Sequence, residues 1–374
     1  MNDIQELFYF MLRMALGQEY VEIKELSKDD WMALYELAER HTVLGVCLAG
    51  LEIMDKQGQK PPQPLLLQWI GVVQQVESRN KIVNQHCVTL MDKLRRDRLR
   101  ACILKGQGNA RMYGQLNPQL ALWRQPGDID VWVEGEFEKV VRYVQDVCPT
   151  NEVNEQHIHL HLFEDTEVEA HFTPSRLANR ILNRRLQQWF AKEKDNQMNH
   201  RVEFYDKEIS VPTDDFNIVY QMTHIYKHLF NEGIGMRQLM DYYVLLSVAE
   251  LTVCEKENVK KNIKRFGMVN FAGALMWIMG YVFHLPEERM LWKLDEERGR
   301  FILSEVMQMG NFGHGDKRFR LNAKDSHLKR YFQTMKGKLR FVKYYPKEAL
   351  WQPIDMFLKF FELRILKRKV KQLL

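Results

Sequence analysis

The sequence is poor in cysteine, and the cysteines it has do not form a recognisable pattern. There are five in 374 residues, widely separated and without any Cys-x-x-Cys pair: Cys47, Cys87, Cys102, Cys148 and Cys254. An odd number of isolated cysteines predicts neither a disulfide framework nor a structural zinc site. The pattern is typical of a reducing compartment, so we expect a cytoplasmic protein.

Long apolar runs are also lacking. The most apolar stretch, Phe271 to Phe283, covers thirteen residues, whereas a membrane-spanning helix needs about 20. It is therefore predicted to be a buried helix. The first residues, Met1 to Glu6, lack the basic segment and apolar core of a secretory signal peptide. Both absences favour the cytoplasmic assignment.

The body of the chain has no excess of positive charge. The formal net charge is +5, but thirteen Lys and Arg residues and only three acids lie between Lys329 and the end. This surplus of ten leaves about −5 for the rest of the sequence. A groove for nucleic acid needs a basic surface around the site. Nucleic acid is therefore not an expected partner.

What the sequence does have is a pair of aspartates in an apolar run, at Gly127-Asp128-Ile129-Asp130-Val131-Trp132-Val133. Side chains alternate along a strand, so Asp128 and Asp130 are predicted to share one face. Two neighbouring carboxylates repel each other, and a divalent cation such as Mg²⁺ removes that cost. The pair alone is equally typical of an exposed strand face.

Two neighbouring segments favour the metal interpretation. The strand-like Ala101 to Leu104 runs into Lys105-Gly106-Gln107-Gly108 and a predicted short helix, and a glycine turn at a helix start can offer backbone N–H groups to phosphate. Downstream, Val168-Glu169-Ala170-His171-Phe172 reads as a strand with a third carboxylate. Three carboxylates on two strands could hold two metal ions, which would activate an attacking oxygen and stabilise a leaving pyrophosphate.

Together, Leu-Lys-Gly at 104–106, Arg-x-x-Gly-Asp-Ile-Asp at 124–130 and Val-Glu-Ala-His at 168–171 resemble the DNA polymerase β-like nucleotidyltransferases. Within that superfamily the match is to the bacterial uncharacterised nucleotidyltransferase family, over roughly residues 30 to 245. The resemblance implies a two-ion Mg²⁺ site and an NTP co-substrate, with ATP expected. Gly106-Gln107 departs from the usual Gly-Ser or Gly-Gly turn. The segment between that turn and Asp128 is also unusually long.

The resemblance also implies a role for each residue of the motifs. Asp128 and Asp130 would hold the metals. Glu169 would complete the second metal site and help to deprotonate the acceptor hydroxyl. The turn at Gly106 and Gln107 would hold phosphate, and Lys105 or Arg124 could neutralise its charge. The expected acceptor is a small molecule or glycan-related compound.

A helical segment beyond Pro212 offers further candidates. His224, Lys227 and His228 are followed by Arg237 and Asp241, which are spaced to pair at i, i+4. This pattern resembles the family's helical domain, where Lys227 or His228 could reach the triphosphate. Arg237, oriented by Asp241, is a further phosphate ligand in this interpretation. A buried ion pair among ordinary polar residues of a helix is the alternative.

Two repeated patterns each allow a functional interpretation and a purely structural one. His157, His159 and His161 alternate along a predicted strand; they indicate either a transition-metal site or a half-exposed polar face. His171 lies two residues from Glu169, hence on the same face. Arginines spaced four apart, at 176, 180 and 184, form one stripe of a helix predicted from Pro174 to Phe190. That stripe indicates either a solvated face or contact with phosphate or an acidic acceptor.

The tail is a basic amphipathic helix beginning near Pro346. Its apolar face would contain Trp351, Ile354, Phe357, Leu358, Phe361 and Ile365. Docking within the chain or onto another subunit is expected, and peripheral contact with an acidic membrane is the alternative. We therefore predict an α+β fold, with a small mixed-sheet nucleotidyltransferase core flanked by N-terminal helices and a C-terminal all-α domain. The predicted regions are 1–98, 99–211, 212–330 and 331–374. A non-catalytic nucleotide-binding module and a membrane-surface or partner-binding scaffold are the competing functions.

Overall fold

A four-stranded mixed sheet lies within a largely helical α+β fold, as predicted. The structure is a computed structural model that describes residues 4–18, 24–56, 58–313 and 335–373. The predicted region boundary at 330/331 lies outside the described residues. The division into four regions stays a prediction.

The described residues of the N-terminal part form four helices: α1 (Ile4–Ala15), α2 (Lys28–Arg40), α3 (Leu44–Asp55) and α4 (Gln63–Arg96). Ser27 caps α2 as its sequence predicts, since its hydroxyl accepts a hydrogen bond from the Asp30 N–H at 3.2 Å. The 34-residue helix α4 begins directly after Pro62 and ends in a basic last turn, which suits the helix dipole.

The sheet follows α4, and its elements in chain order are β1 (Ala101–Ile103), α5 (Gln107–Tyr113), α6 (Leu120–Trp123), β2 (Ile129–Val133), α7 (Phe137–Val147), β3 (His157–His159) and β4 (Val168–His171). The strand order is β1-β2-β4-β3. Strands β2 and β4 are parallel, and the two outer pairs are antiparallel. Strand β3 is shorter than predicted, and His161 lies beyond its end.

The segment after the sheet differs from its prediction. Helix α8 spans Arg180–Asn199, so it starts six residues later than expected and ends nine residues beyond the predicted end at Phe190. Asn179 sets the start, because its side-chain oxygen accepts hydrogen bonds from the N–H groups of Ile181 and Leu182. An antiparallel hairpin follows, formed by β5 (Arg201–Phe204) and β6 (Lys207–Ser210).

The C-terminal half is helical, with α9 (Asp214–Asn231), α10 (Met236–Val248), α11 (Val253–Arg265), α12 (Val269–Phe283), α13 (Glu296–Met309), a helical stretch at 335–339, and α14 (Pro346–Leu373). The predicted buried helix is α12, whose residues from Phe271 to Ile278 are nearly all inaccessible. In the described ranges, no helix is both long enough and apolar enough to cross a membrane.

Two hydrophobic cores hold the sheet between them. One lies on the face that carries Trp132 and is shared by α1–α3 and the C-terminal helices α9–α13. The other covers the opposite face, where Ile129, Val131 and Val133 pack against α4, α7 and the β5–β6 hairpin. Alternation along β2 thus directs Trp132, and with it Asp130, towards α9, where Trp132 stacks on Phe216 at 6.0 Å between ring centroids.

Candidate active site

A row of polar side chains crosses the sheet on the face directed towards α9. Asp130 on β2 is the register partner of Glu169 on β4, and Glu169 is the partner of His159 on β3. Trp132, His171 and His157 form the next row on the same face. The register thus places Asp130 beside Glu169, and puts the histidines on the face of Glu169, a relationship that the sequence left open.

His171 joins the two central carboxylates. Its Nε2 lies 2.9 Å from Asp130 Oδ1 and 3.2 Å from Glu169 Oε2, while His157 Nδ1 lies 3.0 Å from the same Glu169 oxygen. Burial alone would lower the pKa of His171, but the two carboxylates outweigh it and raise that pKa to about 9. Hydrogen bonds from the two histidines lower the pKa of Glu169 despite its burial. The imidazolium of His171 is therefore the counter-ion of this pair at neutral pH.

Lys105 supplies a second positive charge to Asp130. Its Nζ lies 3.0 Å from Asp130 Oδ1, and only 1 % of the aspartate side chain is exposed. Burial acts to lower the pKa of Lys105, but the charges of Asp130 and Asp128 raise it above its usual value. Lys105 is thus a fixed cation beside the carboxylates.

The carboxylate of Asp128 lies in an electrostatically unfavourable environment. It lies directly before β2 and faces the same cavity as Asp130. The charge of Asp130, and then burial, raise its pKa to about 6, although Lys105 acts in the opposite direction. The predicted like-charge pair is present, and it is only partly compensated by the positive groups around it.

The turn at Gly106 contributes to the cavity through its backbone rather than through a side chain. Gly106 has φ +58° and precedes the first residue of α5, a conformation that a residue with a Cβ rarely adopts. The side chain of Gln107 points away from the cavity that contains Asp128, towards α4, where its amide contacts Asn80 and Asn84. The departure from the usual family turn therefore leaves the cavity open, and the Gln107 side chain does not line it.

The cavity lies between the sheet and the helices α9 and α10. It has a volume of about 60 Å³ and is lined by Lys105, Gly106, Asn109, Arg124, Gly127, Asp128, Asp130, Tyr220, Gln221, His224, Ile225, Arg237, Gln238 and Asp241. The hydroxyl of Tyr220 is buried and has no hydrogen-bond partner among the described residues. A buried hydroxyl without a partner is costly, which indicates a place for a ligand oxygen.

Tyr220 and His224 line the cavity, although in the helical segment beyond Pro212 the sequence suggested a role in phosphate binding only for Lys227, His228 and Arg237. Tyr220 and His224 occupy successive turns of α9, and the i, i+4 spacing was the available signal. Lys227 and His228, which were selected, lie one turn further on and do not line this cavity. Lys227 contacts the Gln156 side-chain oxygen, and His228 pairs with Glu232 at 3.1 Å.

The expected pair of Arg237 with Asp241 does not form. Asp241 instead binds Arg124, with Nε–Oδ1 and Nη2–Oδ2 distances of 2.7 and 2.6 Å, and accepts a hydrogen bond from Tyr113 at 2.7 Å. Arg237 donates to the backbone oxygens of Gln125 and Pro126. In the described ranges Arg237 makes no ion pair, and it lines the cavity.

Two groups of donors in the described part of the chain are close enough to hold a metal ion. They are Asp130, Glu169 and His171, and His157, His159 and Glu169, each with ligand atoms within 4.8 Å of one another. Glu169 belongs to both, and Asp128 to neither. His161, the third member of the predicted histidine series, lies 3.6 Å from the exposed carboxylate of Glu152. The structure thus brings Asp130 and Glu169 together in register. Asp128 lines the cavity with Asp130, whereas Glu169 is not among the lining residues.

Two arginines of the predicted stripe contact the C-terminal helix. Arg176, just before the helix, pairs with Glu362 of α14 at 3.3 Å. Arg180 pairs with Asp355 of α14 at 3.0 Å. These two arginines are therefore committed to holding the C-terminal helix.

One comparison with known proteins gives a result. The model of a family described as an uncharacterised nucleotidyltransferase matches residues 27–284, a span that includes the whole sheet, the cavity and α9–α12. No curated protein and no solved structure matches the chain.

Proposed function

The chain belongs to the family of uncharacterised nucleotidyltransferases, and on that premise we propose that it moves a nucleotidyl group from an NTP, with ATP as the expected donor, to a hydroxyl of a small-molecule or glycan-related acceptor. The observation that carries the proposal is one cavity shared by Asp128, Asp130 and two cations, Lys105 and Arg237. Carboxylates for a metal and cations for phosphates are the components that phosphoryl chemistry needs.

The donor set fits Mg²⁺. Asp128 and Asp130 offer hard oxygen ligands to one side of the cavity. Their mutual repulsion, visible in the raised pKa of Asp128, is a cost that a divalent cation would remove. Glu169, beside Asp130 in register, would complete a second ion site. Bound Mg²⁺ would neutralise triphosphate charge and lower the pKa of the attacking hydroxyl.

The remaining residues would position and neutralise the substrate. Arg237, a half-buried cation without an ion pair in the described ranges, and Lys105 would contact phosphate oxygens. Gly106 allows the backbone to approach them closely. Arg124 would position its neighbours rather than bind phosphate, because Asp241 already neutralises its charge. The cavity, of about 60 Å³, would hold phosphate oxygens and ions rather than a whole nucleotide.

A pyrophosphate-release screen tests the proposal. The full chain is incubated with Mg²⁺, each of the four NTPs and a panel of sugars, sugar phosphates and polyols. We expect release that requires both an NTP and one acceptor class, and that Asp130→Asn abolishes. Calorimetry with Mg²⁺–ATP runs in parallel. ATP binding without release for any acceptor would support the non-catalytic nucleotide-binding alternative, and absence of binding would contradict both.

A further inference from the structure

The C-terminal helix α14 docks on the protein through its acidic residues. Asp355 and Glu362 pair with Arg180 and Arg176, and Glu348 accepts a hydrogen bond from the buried Tyr226 hydroxyl at 3.1 Å. These three are the only acids in the helix. Three of the five buried residues of α14 are polar, Glu348, Gln352 and Asp355, and two are apolar, Ala349 and Val370. The docked face is therefore more polar than the amphipathic sequence predicts.

The opposite face of α14 is apolar and exposed. We call it the outer face, and its apolar residues follow helical spacing: Leu350, Ile354, Phe357, Leu358, Phe361 and Ile365. They are 37–66 % exposed. Single exposed apolar side chains are ordinary, but a continuous stripe that includes two phenylalanines marks an interaction surface.

The charge on and beside the outer face has one sign. Arg364, Lys367, Arg368 and Lys371 are all exposed, and the Arg364 guanidinium lies over the Phe360 ring at 4.2 Å. Because every acid of the helix contacts the protein, none is left to balance these cations. Lys369 pairs with the exposed Glu138 of α7 at 3.0 Å. The outer face is thus an apolar stripe beside which the exposed charges of α14 itself are all positive.

We propose that the outer face of α14 lies on an anionic membrane surface. The apolar stripe would enter the boundary between headgroups and acyl chains, and the cations would contact lipid phosphates. A second copy of the chain fits less well, since each copy would bring uncompensated cations to the contact without an acid to meet them. The inference does not depend on the proposed nucleotidyl transfer.

Flotation of the full chain with lipid vesicles tests this proposal without nucleotide or turnover. We expect binding to vesicles of phosphatidylcholine mixed with phosphatidylglycerol, weaker binding in high salt, and little binding to phosphatidylcholine alone. The double variant Phe357→Ser/Phe361→Ser should reduce the partition coefficient by at least about tenfold. The variant Arg364→Gln/Arg368→Gln should reduce binding to anionic vesicles by about tenfold.

The matched control is Leu67→Ser/Ile181→Ser, which removes two apolar side chains of similar exposure, 61 and 62 %, from other helices. It should bind vesicles as the wild type does, and all variants should keep the wild-type urea midpoint. Failure of the wild type to bind anionic vesicles would overturn the proposal, as would equal binding by the phenylalanine variant. A dimer in sedimentation that this variant alone loses, without vesicle binding, would assign the face to a second copy.

Discussion

Both carboxylate oxygens of Asp241 on α10 bind the guanidinium of Arg124, at 2.6 and 2.7 Å. The two side chains are almost completely buried. Arg124 lies four residues before Asp128 in the chain, so the pair ties the entry to β2 to the helical side of the cavity. A buried bidentate pair of this kind fixes geometry more than it adds net stability.

We predict that Asp241→Ala lowers the free energy of unfolding by about 3–5 kcal/mol, because it leaves the Arg124 charge buried without a partner. Urea denaturation measures this loss. Glu296→Ala, which removes an exposed ion pair with Arg300, is the control and should change stability by less than about 1 kcal/mol. Replacing both partners, as in Arg124→Met/Asp241→Leu, should recover most of the loss; a double variant as unstable as Asp241→Ala would contradict this account.

The strands of this region can be predicted from the sequence, whereas the contacts of its helices cannot. The alternation around Asp130 and Glu169 determines which face each side chain occupies, so their neighbourhood could be anticipated. Arg237 and Asp241 also share a helix face, but Asp241 pairs with Arg124, which lies 117 residues away in the chain. Tertiary packing decides which arginine pairs with Asp241, and the spacing of residues along one helix gives no information about that packing.

The residues of α9 that line the cavity could likewise not be identified from the sequence. Helical periodicity identifies a polar stripe that includes His224, Lys227 and His228, but not the turn at which the stripe meets the sheet. Tertiary packing decides that turn: Trp132 of β2 stacks on Phe216 of α9, one turn before Tyr220. The cavity therefore contains His224, with Tyr220 one turn earlier, rather than the two residues selected from the sequence.

Asp128→Asn should abolish Mg²⁺-dependent turnover and stabilise the metal-free protein above pH 6. The folded-state pKa of Asp128 is raised to about 6, so its favourable contribution exists below about pH 4 and is lost as the pH rises through 6. The gain for the variant at pH 8 in EDTA should be about 1 kcal/mol, measured by urea denaturation. Reduced stability with normal turnover would identify Asp128 as a structural residue.

Tyr220→Phe should separate ligand binding from stability. The hydroxyl of Tyr220 has no partner among the described residues, so its removal should leave the free energy of unfolding unchanged or raise it by up to about 1 kcal/mol. If that hydroxyl donates to a phosphate, the Kd for Mg²⁺–ATP should rise about tenfold in calorimetry. Tyr242→Phe is the matched control, because it also loses a buried hydroxyl without a partner in the described chain, away from the cavity. Equal affinities for the two variants would refute the contact.

His171 should make the stability of the metal-free protein depend on pH. Its folded-state pKa is raised to about 9 from an unfolded value near 6.5. Its contribution is therefore fully present below about pH 6.5 and is lost as the pH rises through 9. The stability difference between wild type and His171→Asn should shrink by about 2–3 kcal/mol over this range, measured by urea denaturation in EDTA. A difference that is constant with pH would contradict the imidazolium assignment.

Glu169→Gln tests the third carboxylate, on which the proposed two-ion chemistry depends. Glu169 is the register partner of Asp130, and glutamine keeps its size and can still accept hydrogen bonds from His157 and His171. We expect little change in Mg²⁺–ATP affinity, because Asp128, Asp130 and the phosphates would hold that ion. The acceptor hydroxyl would lose the group that assists its deprotonation, a contribution of roughly 10²–10⁴ in rate. Turnover should therefore fall at least about a hundredfold while Kd stays constant.

The control for this last variant is Glu152→Gln, which changes the exposed carboxylate at the far end of the histidine series and should leave turnover at the wild-type rate. Calorimetry and pyrophosphate release on the same preparations separate the two effects. If Glu169→Gln loses ATP affinity and turnover in parallel, Glu169 contributes to binding of the nucleotide–metal complex rather than to proton removal. If it turns over normally, the second ion site does not include Glu169, and Asp128 and Asp130 carry the metal chemistry without it.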